Sequence, residues 1–190
     1  MYDIICRQHK VYLKRSKLKL CMRAVRFLGH VCSKEGCRPQ RDKVASVRDW
    51  PELEAVTHVR QFLGICGFYR RYIQSFAHIA HPLTRLTKMG VPWTWGKEEK
   101  GAFQRLKTAL ISAPILALPD QRSAADGSRP FCVQTDASAV ALGGVLMQDL
   151  GRGLQPLAFE SRQFSSAEQN WTVTQTHEFS HMLYPKPQTH

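Results

Sequence analysis

No run of apolar residues in this 190-residue chain is long enough to span a bilayer, and the opening Met1-Tyr2-Asp3 is not the start of a secretory signal. No membrane partner is therefore expected, and the setting is read as intracellular, cytoplasmic or nuclear. No CxxC pair occurs among the six cysteines, at positions 6, 21, 32, 37, 66 and 132. Without a secretory signal, reduced thiols are expected. A zinc site on His30, Cys32 and Cys37 is conceivable but lacks a second ligand pair at metal-site spacing. No internal repeat is evident. What is present is an ordinary globular balance of 43% hydrophobic and 22% charged residues, which excludes a disordered chain.

Acidic residues are scarce in one half. Residues 1–90 hold 18 Lys and Arg against 6 Asp and Glu, whereas residues 91–190 hold 9 of each, so the whole net charge of +12 sits in the first half. Residues 7–26 carry eight basic side chains and no acid. A basic half joined to a neutral one points to an anionic polymer as partner, because phosphate contacts release counterions. The bland alternative is a solvated basic surface.

The pattern of elements predicts an α+β chain. Val11–Leu13 and Leu18–Leu20 have short strand character, Val25–Val31 alternates with a bend at Gly29, and Lys34-Glu35-Gly36 marks a hairpin turn. A short helix is expected over Asp42–Trp50, stopping before Pro51. A longer one follows over Val56–Ile73, with Gly64 and Gly67 inside it at a cost of about 1 kcal/mol each. Such glycines want a reason, and close approach of a partner backbone is one. Pro82 suits the first turn of another helix. A further helix is expected over Glu98–Ile111, ended by Pro114. Residues 120–130 are a polar linker, the best domain boundary. Beyond it, Phe131–Thr135, Leu142–Gln148 and Leu157–Phe159 read as a three-stranded antiparallel meander, followed by a helix over Ala167–Met182.

Three stretches in order carry a resemblance. The first is Phe27-Leu28-Gly29-His30-Val31 with Ser33-Lys34-Glu35-Gly36. The second is Val59-Arg60-Gln61-Phe62-Leu63-Gly64 with Phe68-Tyr69-Arg70-Arg71-Tyr72-Ile73, then Phe76-Ala77 and Pro82-Leu83. The third is Thr135-Asp136-Ala137-Ser138, Gly143 to Gln148, and Pro156 to Arg162. In this order and spacing, over roughly residues 11–178, the chain resembles the Pol polyprotein of gypsy-type LTR retrotransposons. The resemblance implies a palm end of a reverse transcriptase with a primer-grip-like hairpin (1–40), a thumb-like helical region (41–119), the linker (120–130) and a truncated ribonuclease-H-like domain (131–190). It implies RNA-directed DNA polymerase and ribonuclease H activity in the family, an RNA–DNA hybrid or duplex DNA as partner, and Mg2+ or Mn2+ as cofactor.

The residues fit those roles chemically. Leu28, Gly29 and His30 would hold a primer terminus. Arg60, Gly64 and Phe68 are four apart and share one helix face, where a cation, a bare backbone and an aromatic ring can follow a duplex groove. The competing reading has Phe68 in the core and Arg60 solvated. Arg70 and Arg71, with Arg23 and Arg26, would be phosphate contacts. Asp136 ends an apolar strand, where a carboxylate could face a metal; the competing reading is a turn-forming Asp.

The chain also departs from the family. It has no Asp-Asp dipeptide, the palm pair that two-metal nucleotide transfer needs, and Tyr2-Asp3-Ile4-Ile5 is at most a remnant of it. The ribonuclease H glutamate position falls on His177, with Glu178 one residue later and turned by about 100° on a helix. Two later family carboxylates lie beyond His190, Leu18 stands where Cys is common, and Ala141 where Gly is common. The expectation is an incomplete ribonuclease-H-like sheet of marginal stability that retains nucleic-acid binding, with weak or absent metal binding and little catalysis. The alternative is a non-catalytic basic protein-interaction module derived from a retroelement.

Overall fold

The computed structural model describes residue 14 and residues 21–170. The strand readings at Val11–Leu13 and Leu18–Leu20, the Tyr2–Ile5 remnant, His177 and Glu178 lie outside the described residues, as does the later part of the Ala167–Met182 helix. Within them the chain is α+β. Strands β1 (Ala24–Phe27), β2 (His30–Ser33) and β3 (Gly36–Pro39) form an antiparallel meander. Helices α1 (Arg41–Arg48), α2 (Val56–Phe68), α3 (Phe76–Leu86) and α4 (Lys97–Ile111) follow, then a five-residue helix α5 (Gln121–Ala125). A second antiparallel meander closes the described part, β4 (Phe131–Ala137), β5 (Ala141–Asp149) and β6 (Leu154–Gln163).

The helices bury one continuous core. Val59, Phe62 and Cys66 of α2 are fully buried, spaced to keep one stripe inward, and meet Leu83 and Leu86 of α3 and Leu106 and Leu110 of α4. Phe62 lies against Trp50 and Phe103, with ring centroids at 5.8 Å and 4.7 Å. Burial pushes the Cys66 thiol up to about 12, so it behaves as an apolar filler.

Several helix boundaries differ from the sequence reading. Helix α1 runs over Arg41–Arg48 rather than Asp42–Trp50. Helix α2 stops at Phe68 and tightens into a 3₁₀ turn at Arg70–Tyr72. The tighter winding turns Tyr69, Tyr72 and Ile73 all inward, where each is at most 2% exposed. Pro82 sits inside α3 rather than in its first turn. There the start is fixed by Ser75 in a left-handed conformation and by the inward row Ala77, Ala80, Leu83 and Leu86. Helix α4 begins one residue early, where the Glu99 carboxylate accepts the Gly96 amide at 3.0 Å.

The segment after α4 ties both sheets together. Leu116 pairs with Cys37 of β3 through both backbone bonds (2.8 and 2.9 Å), and the next residue, Ala117, donates to the Pro156 carbonyl of β6 at 2.9 Å. The polar stretch 120–130 is anchored as well. The fully buried Gln148 side chain accepts from the Asp120 amide (2.8 Å) and donates to the carbonyls of Asp120 (2.9 Å) and Arg129 (2.8 Å).

Cys32 and Cys37 form a disulfide, against the expectation of reduced thiols there; Cys21, Cys66 and Cys132 are free. The register explains the pairing. Cys37 spends its backbone groups on Leu116, so opposite Cys32 it forms the close, non-hydrogen-bonded kind of cross-strand pair, with Cα atoms 4.3 Å apart.

Candidate nucleic-acid interface

The first sheet and the end of α2 meet at the Leu28–Gly29–His30 turn. Phe27 and His30 pair across it, and Leu28 and Gly29 both have positive φ, 45° and 77°. Two such residues make the mirror-image turn whose twist matches a tight hairpin. Leu28 is 71% exposed at the tip. The Gly29 carbonyl accepts from the Tyr69 hydroxyl and from the Gln40 amide, both at 3.0 Å. The His30 ring stacks on Phe68, and its Nδ1 lies 3.0 Å from the Tyr72 hydroxyl. Burial, then the nearby Arg71 guanidinium, hold the His30 imidazole below its ordinary pKa.

Along α2, the face opposite the core is exposed at Arg60, Gly64 and Phe68. The structure thus brings these three together as the spacing predicted, and Phe68 is 54% exposed rather than part of the core. Among the described residues a side-chain carbon built on Gly64 or Gly67 meets nothing within 4 Å, so no contact there requires glycine at either position. The Arg60 guanidinium donates to the Thr87 carbonyl at the end of α3 (3.2 Å) and stays exposed.

Arg70 and Arg71 have protein partners. Arg70 bridges Glu160 of β6 at 2.7 Å, both half-exposed, and Arg71 lies 3.5 Å from the Leu157 carbonyl and over the Tyr72 ring. Arg26 faces Asp42 at 3.5 Å, with both side chains largely solvated, and Arg23 is exposed. Tyr69 and Tyr72 follow helical spacing with Phe62 and Ile65. Their rings are core, but nothing in the spacing announced that both hydroxyls reach the hairpin.

Asp136 lies in β4 opposite Gly143, exposed, on a shallow pocket shared with Ser75, His78 and Ser138. His78 Nδ1 is 3.1 Å from the Ser138 hydroxyl. Among the described residues no three acidic, His or Cys side chains gather in a set able to hold a metal ion. The described part of the site therefore does not fit the carboxylate cluster that two-metal hydrolysis requires, and no catalytic step is derived through it.

Residues 95–182 match the RNase H-like domain found in reverse transcriptase. The fold is that of a foamy viral protease-reverse transcriptase solved in complex with RNA/DNA hybrid, with a TM-score of 0.71 at 20% identity, covering 96% of this chain and 25% of that one. The chain is 36% identical over 170 residues to the retrovirus-related Pol polyprotein from transposon 412 of Drosophila melanogaster, covering 90% of this chain and 13% of the relative. It is 33% identical over 175 residues to the corresponding polyprotein from transposon gypsy of the same organism, covering 86% and 16%. The chain is homologous to the reverse transcriptase–ribonuclease H region of retrotransposon Pol polyproteins. It spans about one seventh of the length of those relatives.

Proposed function

We propose that this chain grips a nucleic-acid duplex between the Leu28–Gly29–His30 turn and the Arg60–Gly64–Phe68 face of α2, as the primer-grip and thumb parts of a reverse transcriptase, and that residues 131–190 begin its ribonuclease H domain. The observation that carries this is Gly64. A glycine in mid-helix costs stability, nothing among the described residues explains it, and it lies between an exposed cation and an exposed aromatic ring. A bare backbone admits a sugar–phosphate chain, Arg60 supplies charge, and Phe68 packs on sugars. The excess of basic residues in the first half supports a polyanionic partner, and the foamy viral neighbour was solved with an RNA/DNA hybrid. Leu28 would press on the primer end. Arg70 and Arg71 would reach phosphate by releasing Glu160 and the Leu157 carbonyl.

In this reading Asp136 and Glu178 belong to the ribonuclease H carboxylate set, which would hold Mg2+ or Mn2+ with further residues. Polymerase and hybrid-cleaving activity are those of the longer family protein, and the role retained by this chain is binding.

The test is binding of the full chain to an RNA–DNA hybrid and to duplex DNA across a salt series. Affinity should fall steeply with salt, Arg60→Ala should flatten the log–log slope by about 1, and Phe68→Ala should weaken binding at unchanged slope. Binding indifferent to salt and to both substitutions would instead favour the protein-interaction reading.

A further inference from the structure

We infer that Tyr69 and Tyr72 are positioning residues for the nucleic-acid-facing turn: through their hydroxyls they lock Leu28–Gly29–His30 onto the end of α2, so that hairpin and helix present one continuous surface. The inference rests on the grip proposed above and deepens it.

The turn carries backbone strain. Gly29 tolerates a positive φ, but Leu28, at φ 45°, is a residue type that avoids it. Leu28 is 71% exposed, so burial of its side chain does not offset the strain. A strained conformation persists only where its surroundings over-determine it, and such places concentrate at ligand-contacting sites. Here the surroundings are specific. The Tyr69 hydroxyl and the Gln40 amide both bind the Gly29 carbonyl, and the Tyr72 hydroxyl meets His30 Nδ1. A side-chain carbon on Gly29 would lie 3.1 Å from both Phe68 Cε1 and Tyr69 Oη, so the turn is seated against the end of α2 with little room for one.

The two tyrosines are each 2% exposed. Phenylalanine would fill the same space. What phenylalanine lacks is the hydroxyl, and both hydroxyls are spent on the turn. Phe68, stacked on His30 at 5.3 Å, belongs to the helix face and to the turn's support at once. The coupling therefore runs through the residues that would touch the duplex, and holds the tip at a fixed distance from Arg60 and Gly64.

The experiment compares full-length wild type, Tyr69→Phe, Tyr72→Phe and the double variant, with Arg60→Ala/Phe68→Ala alongside. Hybrid affinity is measured over the salt series, and amide hydrogen exchange is followed at His30 and Val31 and at core residues Val59 and Phe62. The double tyrosine variant should bind about tenfold more weakly, the scale of two neutral hydrogen bonds, with an unchanged salt slope because no phosphate contact is removed. Exchange should quicken at His30 and Val31 and stay slow in the core. If the tyrosine variants bind like wild type while the Arg60/Phe68 variant loses affinity, the positioning role is overturned and the grip stands. If core exchange quickens equally, the tyrosines are general core residues and the role is overturned. If neither set changes binding, the positioning role and the grip fall together.

Discussion

The imidazole of His30 lies flat on the ring of Phe68, centroids 5.3 Å apart and planes 14° from parallel, joining the tip of a β-hairpin to the last turn of a helix. The contact places an ionisable ring in a partly buried seat, with Arg71 near enough to disfavour its protonation. His81 is held low in the same way, first by burial, then by Lys88 and Arg85.

Both histidines make stability depend on pH in a predictable sense. A folded pKa below the unfolded value means that the unfolded chain binds the proton more readily, so stability is full above the ordinary histidine value and is lost as pH falls below it. The urea midpoint should therefore drop between about pH 7.5 and pH 5, before most carboxylates titrate. Glu168, held down to about 2 first by the Arg162 hydrogen bond, keeps its contribution throughout that window and loses it only as pH falls below the ordinary glutamate value. A variant with His30→Gln and His81→Gln should show a flatter profile. A profile as steep as wild type would place the titration elsewhere.

The contact between the second sheet and the helices separates two kinds of polar interaction. Ser161, 8% exposed, accepts the Ala77 amide at 2.9 Å in the first turn of α3, while Arg70 and Glu160 form a half-exposed ion pair at 2.7 Å. Ser161→Ala leaves a buried N–H without a partner and should cost about 1–3 kcal/mol. Arg70→Ala should cost no more than about 1 kcal/mol, because solvent screens an exposed pair. Chemical denaturation of the two variants checks the order, and the reverse order would mean that the ion pair holds the sheet in place.

Gly36 has a harder requirement than any other glycine described. Its φ is 131°, and a side-chain carbon would lie 2.2 Å from the Leu116 carbonyl oxygen, the acceptor of the Cys37 amide. Gly36→Ala must therefore push apart the pairing that ties the first sheet to the segment after α4. A loss above about 3 kcal/mol is expected in equilibrium unfolding. A cost below about 1 kcal/mol would show that the Leu116 segment yields easily.

Much of this architecture was legible in the residues. Apolar spacing placed α1, α2, α4 and the second meander, because each element buries one face and the period of that face is local information. Of the first meander it placed only a strand pair around the Lys34–Gly36 turn, whereas the chain also reverses at Leu28–Gly29 to make three strands. The Arg60–Gly64–Phe68 stripe was legible for the same reason. The end of α2 was not, since Tyr69, Tyr72 and Ile73 keep a helical-looking spacing while the backbone tightens to bring all three inward. Pro82 misled because a proline signal is weaker than the inward row that fixes α3. The partners of Arg70, Gln148 and the two tyrosine hydroxyls are long-range contacts set by how sheets and helices dock, and no local pattern encodes them. The Cys32–Cys37 pairing follows from a register that only the hairpin shows.

The central claim, that the open face of α2 is a duplex contact, predicts opposite signs for one position. Gly64 lies in mid-helix with none of the described residues near its missing side chain. Gly64→Ala should raise the stability of the free chain by up to about 1 kcal/mol, since alanine is the better helix former and meets no neighbour. Gly64→Leu, folded equally well, should bind an RNA–DNA hybrid at least about tenfold more weakly, because the larger side chain occupies the space a sugar–phosphate backbone needs. The measurement is hybrid affinity of wild type, Gly64→Ala and Gly64→Leu beside their melting temperatures. Stability up with affinity down is the predicted result; stability up with wild-type affinity would contradict the account.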